Sequence, residues 1–546
     1  MPFSRRDALK LGGLGALGAA GLAIPLGKMV SGQSASLLPS KNMPVPYRTT
    51  FGRLGVLPPV GSRVDAEGRT VWIYDITAKQ GAVPLVPGFP QTPVVGYEGM
   101  VPARRIDVQV GNPIELRVRN RLPATQPTFG TPTHLSTHLH GSASLPQYDG
   151  YASDLTYPGQ VKTYQYPNIQ NARTLWYHDH GVHYTAQNVY SGLASQYHMH
   201  DELERALLPQ GEFDVGLTLS DIMFQANAAQ LYDDRTRSGL WGDVILVNGK
   251  VWPVMKVKRR IYRFRVLNGS PSRSYRPTLS PAAPVYVVAT DGGLMPRSQQ
   301  VASWRHGNAE RYEILIDFSK FAAGQRIELK NLSNPNNRDY VNTDKIMAFD
   351  VVDDAFDVND PTAFTIPGEL NPGNDCMKLV PTSQMKVRNI VVEHNDVSNL
   401  WTLNGKTWED VVASGYTSVL ANPALGDTEI WEIENKSGSW FHPLHIHLID
   451  FKILSRNGKA PFPYELGPKD VVYIGAAEKV RVIMKFGTTD TSSPFSKQVG
   501  KYMVHCHNLV HEDHDMMNQF SVGLKPGTVD VNDPINAAPA VPDPTA

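Results

Sequence analysis

Ten of the seventeen histidines fall in four short runs. They read His138-Leu-His140, His178-Asp-His180, His442-Pro-Leu-His445-Ile-His447 and His505-Cys506-His507-Asn-Leu-Val-His511, with Met516 five residues further on. Imidazole and thiolate are transition-metal ligands, and in a β-strand residues i and i+2 share a face. Each His-x-His pair therefore aims two rings to one side. The pairs His138/His140, His178/His180, His445/His447 and His505/His507 offer eight nitrogens, which suits three metal ions holding three, three and two of them. The same alternation turns Cys506 away from its neighbours, toward His442 and His511. A His2Cys set with a weak axial Met is the blue-copper electron-transfer arrangement. Met516 is the axial candidate and Met517 its neighbour. The Cys506 backbone joins that site to both flanking histidines, giving electrons a short bonded path to the three-metal cluster. Zinc also accepts imidazole, but a zinc site takes four ligands rather than twelve arranged around a Cys-His bridge. The inventory is that of four coppers of three kinds, and of electron delivery to dioxygen. His134, His183, His198, His200, His394 and His514 lie off the ligand spacing and read as surface or supporting residues, with His183 and His514 nearest the motifs.

The rest of the chain has to place those four runs together. At 546 residues it is long enough for about three domains. Formal net charge is zero with 19% charged residues, which gives no basis for nucleic-acid binding and no acidic or basic tail. Forty-five Gly and forty-two Pro favour turns and a β-rich fold. Two cysteines are present, so a metal on Cys506 leaves Cys376 a free thiol and the chain without an internal disulfide. Ser4-Arg5-Arg6-Asp7-Ala8-Leu9-Lys10, followed by a Gly/Ala/Leu-rich run to about Leu26, resembles a twin-arginine export signal, with cleavage expected near Gly32 to Ser36. The run is glycine-broken and shorter than the ~20 residues of a membrane span. The expectation is a protein exported in folded form to the periplasm or beyond, with no membrane span after signal removal, and a monomer.

Short alternating stretches dominate after Ser36. Ile114-Glu-Leu-Arg-Val-Arg-Asn120, Tyr262-Arg-Phe-Arg-Val-Leu-Asn268 and Glu429-Ile-Trp-Glu-Ile-Glu-Asn435 echo one another, as do Asn248-Gly-Lys-Val-Trp252 and Asn404-Gly-Lys-Thr-Trp408. Self-similarity at domain length predicts three copies of one β-sandwich. The expected division is a signal over 1–36, a first domain over 45–205, a second over 206–355 and a linker over 356–385. A third domain over 386–525 and a disordered Pro/Ala/Asp-rich tail over 526–546 complete it. The metal runs fall in the first and third domains, so the cluster belongs at their interface and the second domain is a spacer.

With these residues in view, the chain resembles the multicopper oxidases from about residue 45 to 525, most closely the bilirubin oxidases and spore-coat-type bacterial laccases. Leu175-Trp-Tyr-His-Asp-His180, Ile245-Leu-Val-Asn-Gly-Lys-Val-Trp-Pro253, Asp291-Gly-Gly-Leu-Met-Pro-Arg297 and the run from His505 to Met517 carry the likeness, with Trp440 two residues before His442. The resemblance implies an all-β fold of three cupredoxin-like Greek-key β-sandwich domains. It implies a type 1 copper on His442, Cys506, His511 and Met516, and a type 2 copper on His138 and His445. It implies a type 3 pair on His180, His447 and His505 and on His140, His178 and His507. It also implies proton delivery by Asp149 and Glu512, and a donor side lined by Trp440 and Asn508. The reaction implied is one-electron oxidation of phenols, aromatic amines or tetrapyrroles, coupled to four-electron reduction of O2 to water. A Cu(I) or Fe(II) oxidase is the second reading, but the fifteen methionines form no metal-donor insert. An exported electron carrier would need the type 1 set alone.

Overall fold

The computed structural model describes residues 35–353, 364–525 and 527–545. All but the last two residues of the expected signal lie outside that range. Among the described residues the strands form six sheets, two in each of three successive sandwiches. The molecule is all-β, three cupredoxin-like sandwiches in sequence, with only short helices.

The echoing segments occupy equivalent places. Ile114–Asn120, Ile261–Asn268 and Thr428–Asn435 each lie between one parallel and one antiparallel neighbour. Each ends in an asparagine whose amide donates to two backbone carbonyls: Asn120 to Thr133 and Thr156, Asn268 to Arg273 and His306, Asn435 to Trp440 and Gly475. In each the side-chain oxygen accepts from the amide two residues on, at Leu122, Ser270 and Ser437. This is the local Asx turn that favours Asn at strand ends. It anchors the following loop to the sandwich. The Asn-Gly echoes are tight turns, with Asn248 and Gly249, and Asn404 and Gly405, all at positive φ.

The four metal runs sit on two sheets. Thr137–His140 pairs antiparallel with Arg173–Asp179, placing His138 opposite His178. His442–Ile446 pairs antiparallel with Gly500–Cys506, placing His445 opposite His505. Cys506 points into the apolar core of the third sandwich, with Leu444, Ile446 and Met516.

Three features differ from the simplest division. The segment before the first sandwich lies on the second: the amides of Tyr47 and Phe51 donate to the carbonyls of Trp252 and Val254. The linker is held from 364 onward, where Leu370 N donates to Pro296 O and Lys452 Nζ to the carbonyls of Met377 and Leu379. The chain end, expected to be a disordered tail, is placed. Val541–Pro542 pairs with Gln160–Tyr166 of the first sandwich, and the buried Asp543 carboxylate pairs with Arg119 and Arg121. Composition signalled disorder because the tail has no core of its own; it borrows an edge strand and two arginines from elsewhere.

Candidate metal centre

The structure brings the ten histidines and Cys506 into four groups whose ligand atoms lie within 4.8 Å of one another: His138, His140 and His445; His140, His178 and His507; His180, His447 and His505; His442, Cys506 and His511. All are fully or almost fully buried. The first three groups adjoin, with His138 and His447 stacked at 4.0 Å and His140 and His445 at 3.6 Å across the junction of the first and third sandwiches. Cys506 faces the other way, its Sγ 3.4 Å from His442 Nδ1 and 3.7 Å from His511 Nδ1, with those two nitrogens 3.3 Å apart. Met516 shares the core around Cys506, whereas Met517 belongs to a separate cluster with Met503 and Trp408.

Hydrogen bonds behind the rings decide which nitrogen faces inward. A backbone carbonyl can only accept, so His138 Nδ1 carries hydrogen toward Asp149 O, and His445 Nδ1 toward Asp470 O at 2.9 Å. His178 Nδ1 donates to Asp179 O at 2.8 Å. On the other side, Nε2 of His138, His178, His445 and His507 and Nδ1 of His140 are buried without a partner among the described residues. His505 Nε2 lies 3.1 Å from Nε2 of both His180 and His447. Two ligands about 2.0–2.1 Å from one tetrahedral ion lie about 3.3 Å apart. Converging lone pairs at that spacing cost heavily when empty, and a cation relieves the cost. Burial holds the imidazoles neutral, lowering His180 to about 4 and His442 and His505 to about 3, with the others well below the usual range. Burial raises the Cys506 thiol instead, so its thiolate needs a metal beside it. The donor set fits copper, with imidazoles for the cluster and a soft thiolate at the separate site.

Three carboxylates brace the cluster across the domain junctions. Asp149 Oδ2 accepts from His447 Nδ1 at 2.7 Å, while the same residue's carbonyl holds His138. Gly150, at φ +74°, lets this loop lie against the His138 backbone, where a Cβ would come within 2.5 Å. Glu512 lies 2.8 Å from His505 Nδ1 and 3.3 Å from His180 Nδ1, and burial raises its carboxyl to about 7. Asp470 Oδ1 accepts from His140 Nε2 at 3.2 Å. This third carboxylate is not legible in the sequence, and neither is its partner. Arg311 of the middle sandwich grips Asp470 with Nη1 at 2.7 Å and Nη2 at 2.5 Å, and donates Nε to Thr174 O of the first sandwich. Asp291 accepts from the Arg311 amide and pairs with Lys469 at 2.9 Å, all of it buried. The middle sandwich therefore does more than space the other two. Only Asp291, in the Asp-Gly-Gly motif, was marked by the sequence.

At the Cys506 site, His442 Nε2 meets Ser437 Oγ at 2.6 Å, and His511 Nε2 donates to Ser238 O at 3.0 Å, directing both Nδ1 atoms toward the sulfur. Trp401 stacks on His511 at 3.8 Å. Trp440 is half-buried, edge-on to His511 at 6.0 Å and stacked with Trp241 at 6.2 Å. Asn508 is buried, with Nδ2 3.0 Å from His511 Nε2 and Oδ1 accepting from Ser272. It packs beside the ligand ring and is not exposed to solvent. His183 and His514 pair with Glu409 and Asp234 instead of touching the cluster.

Residues 80–204 and 381–525 each match a family model described as multicopper oxidase. The chain is 38% identical to the bilirubin oxidase of Albifimbria verrucaria over 477 residues, covering 84% of this chain and 78% of that protein. It is 31% identical to a laccase of Bacillus subtilis over 509 residues, covering 82% and 94%. Its fold superposes on the multicopper oxidase McoA of Aquifex aeolicus with a TM-score of 0.73 at 27% identity, covering 88% of this chain and 100% of that one.

Proposed function

The chain belongs to the multicopper oxidases, copper-dependent oxidoreductases that use O2, and on that premise we propose a four-copper assignment and an aromatic donor. His442, Cys506 and His511 would hold the type 1 copper, with Met516 the weak fourth ligand. His138 and His445 hold the type 2 copper. His180, His447 and His505, and His140, His178 and His507, hold the type 3 pair. When bound, the coppers supply one-electron transfer from donor to O2. The protein's share is to keep each imidazole in one tautomer, exclude water from the cluster, and carry protons to it. Asp149 and Glu512 touch ligand imidazoles of both sandwiches and are the carboxyl groups from which protons reach the developing water.

The observation that carries the assignment is the convergence of unpartnered, buried imidazole nitrogens in groups of ligand spacing. Phenols, aromatic amines or tetrapyrroles are the donors, arriving on the Trp440 side of the Cys506 site. Among the described residues no helix is long and apolar enough to cross a membrane. Export by the twin-arginine route, to the periplasm or beyond, accounts for the leading Arg-Arg segment. One absorption spectrum with a copper count tests the assignment. An intense band near ~600 nm, expected of a thiolate–copper site, with four coppers per chain is the expected result. A blue band with one copper would leave an electron carrier, and no blue band after loading would remove Cys506 from the ligand set.

A further inference from the structure

Outside the four copper runs the chain holds a fifth His-x-His pair, His198-Met199-His200. It lies on the strand Ala194–His200 of the first sandwich, which pairs in parallel with the edge strand Ile106–Gln109. Alternation puts both rings on one side of the strand, and the register sets Asp107 opposite His198. One ligand atom from each of Asp107, His198 and His200 lies within 4.8 Å of the other two. The far end of the same strand, at Ala194, pairs with His178. Four residues of strand separate Ala194 from His198, about 13 Å, so this trio is distinct from the copper cluster.

The neighbours of His198 fix its tautomer. The Gln196 amide nitrogen donates to Thr218 Oγ1 and to the Arg265 carbonyl at 3.2 and 3.3 Å, which turns the Gln196 oxygen toward His198 Nε2 at 2.7 Å. An amide oxygen only accepts, so Nε2 carries the hydrogen and Nδ1 is a bare lone pair on a buried ring. Nδ1 faces Asp107 Oδ1 at 3.8 Å, a second acceptor. Two acceptors turned toward each other in a partly buried site are costly, and a cation between them relieves the cost. Two ligands of one tetrahedral ion lie about 3.3 Å apart, a spacing that a small turn of the carboxylate reaches. His200 brings the third ligand from the sheet margin, its ring partly open to solvent and braced by Glu204 at 3.3 Å.

The surrounding charge accommodates an ion. The ion pairs about the two rings join three guanidiniums, Arg105, Arg263 and Arg265, to four carboxylates, Asp107, Glu204, Asp214 and Glu313. Arg105 is the ion's competitor for Asp107, with Nε on Oδ1 at 2.8 Å and Nη2 on Oδ2 at 3.0 Å. Each carboxylate oxygen keeps a further lone pair beside that fork. We propose that Asp107, His198 and His200 bind one divalent transition-metal ion of the zinc(II) kind, which ties the edge strand of the first sandwich to its neighbour. Two imidazoles and a carboxylate are a ligand set such ions take. Held by the folded chain, the ion stabilises it by mass action.

The test titrates zinc chloride into the copper-loaded protein. Calorimetry should show one saturable event per chain, with the blue band and copper count unchanged and Tm raised. Loss of a group behind a metal ligand weakens binding about 10–100-fold, so loss of the ligand itself in Asp107→Asn or His200→Gln should weaken zinc at least about tenfold. Arg105→Gln should act in the opposite direction and tighten zinc, because it releases Asp107. Asp107 and His200 are both partly exposed; should one variant fail to fold, the other decides. Zinc binding untouched by the ligand variants, zinc uptake matched by copper loss, or no binding event in the parent would overturn the proposal.

Discussion

Replacing Arg311 with methionine tests whether the middle sandwich holds the copper cluster in register. Arg311 gives both terminal nitrogens to Asp470, whose side chain accepts from His140 and whose carbonyl accepts from His445. Asp470 is buried, and burial raises its carboxyl to about 6 even with the guanidinium opposing that shift. Without Arg311 the carboxyl rises further and is protonated at neutral pH, so it no longer acts only as an acceptor for His140 Nε2. Removing one partner of a buried ion pair costs about 3–5 kcal/mol. For unfolding units of this size that is a fall in Tm of about 6–20 °C. Loss of a partner behind a metal-bound imidazole weakens metal retention about 10–100-fold. The copper assigned to His140, His178 and His507 should therefore be lost first to a chelator, because His140 is the ring that the Asp470 side chain holds, while the blue band stays. Thermal melting of the copper-free protein, chelator titration followed by paramagnetic resonance, and the double variant Arg311→Met/Asp470→Asn form one experiment. The double variant should recover part of the Tm, because the amide of Asp470→Asn needs no proton to stay buried without the guanidinium, whereas the Asp470 carboxyl does. Full copper retention and an unchanged Tm in Arg311→Met would refute the bracing role, and a double variant worse than the single would refute the charge argument.

Three further outcomes follow from the geometry. Met516→Leu should raise the redox potential of the blue site, and Met517→Leu should not, because the two side chains lie in different cores; redox titration of both variants decides this. Asp149→Asn should keep the blue band yet slow turnover by about 10²-fold or more, the usual worth of a proton-transferring group, and turnover equal to the parent across pH would remove that role. Asn120→Ala, Asn268→Ala and Asn435→Ala should each destabilise by about 1–3 kcal/mol for the carbonyls left unmet. Only Asn435→Ala should also shift the blue band, since Asn435 positions Ser437 against His442.

What was legible in the sequence was what depends on neighbours. The alternation of His505, Cys506 and His507 encodes two opposed faces because strand geometry has period two. The repeated strand ends in asparagine because an Asx turn needs a short polar side chain two residues before the amide it caps. Met516 and Met517 could not be told apart locally, and the structure places them in different cores, Met516 in the one that holds Cys506. Asp470 and Arg311 stand 159 residues apart, and neither carries a local pattern, so only the docking of three sandwiches makes them a pair. Asn508 read as a donor-side residue through its place after His507, yet Ser238 and Ser272 of the middle sandwich cover it. The terminal segment misled because composition reports a missing core, not a borrowed strand.

The recurring asparagine socket bears on the order of events in the life of the chain. Seven residues after Asn268 stands Tyr275, held through its hydroxyl by Ser270 at 3.0 Å, as His442, seven residues after Asn435, is held by Ser437. In the first sandwich Leu135 takes that seat, two residues beyond the carbonyl that Asn120 grips. A seat that accepts leucine, tyrosine or histidine is built by the backbone and does not wait for an ion. Small zinc modules, in contrast, fold only as the ion arrives. The His442 ring should therefore be seated by the sandwich itself, through Asn435 and Ser437, with the ion adding to a position the polypeptide already defines. Copper supply should then govern how much of the protein is active more than how much of it is folded.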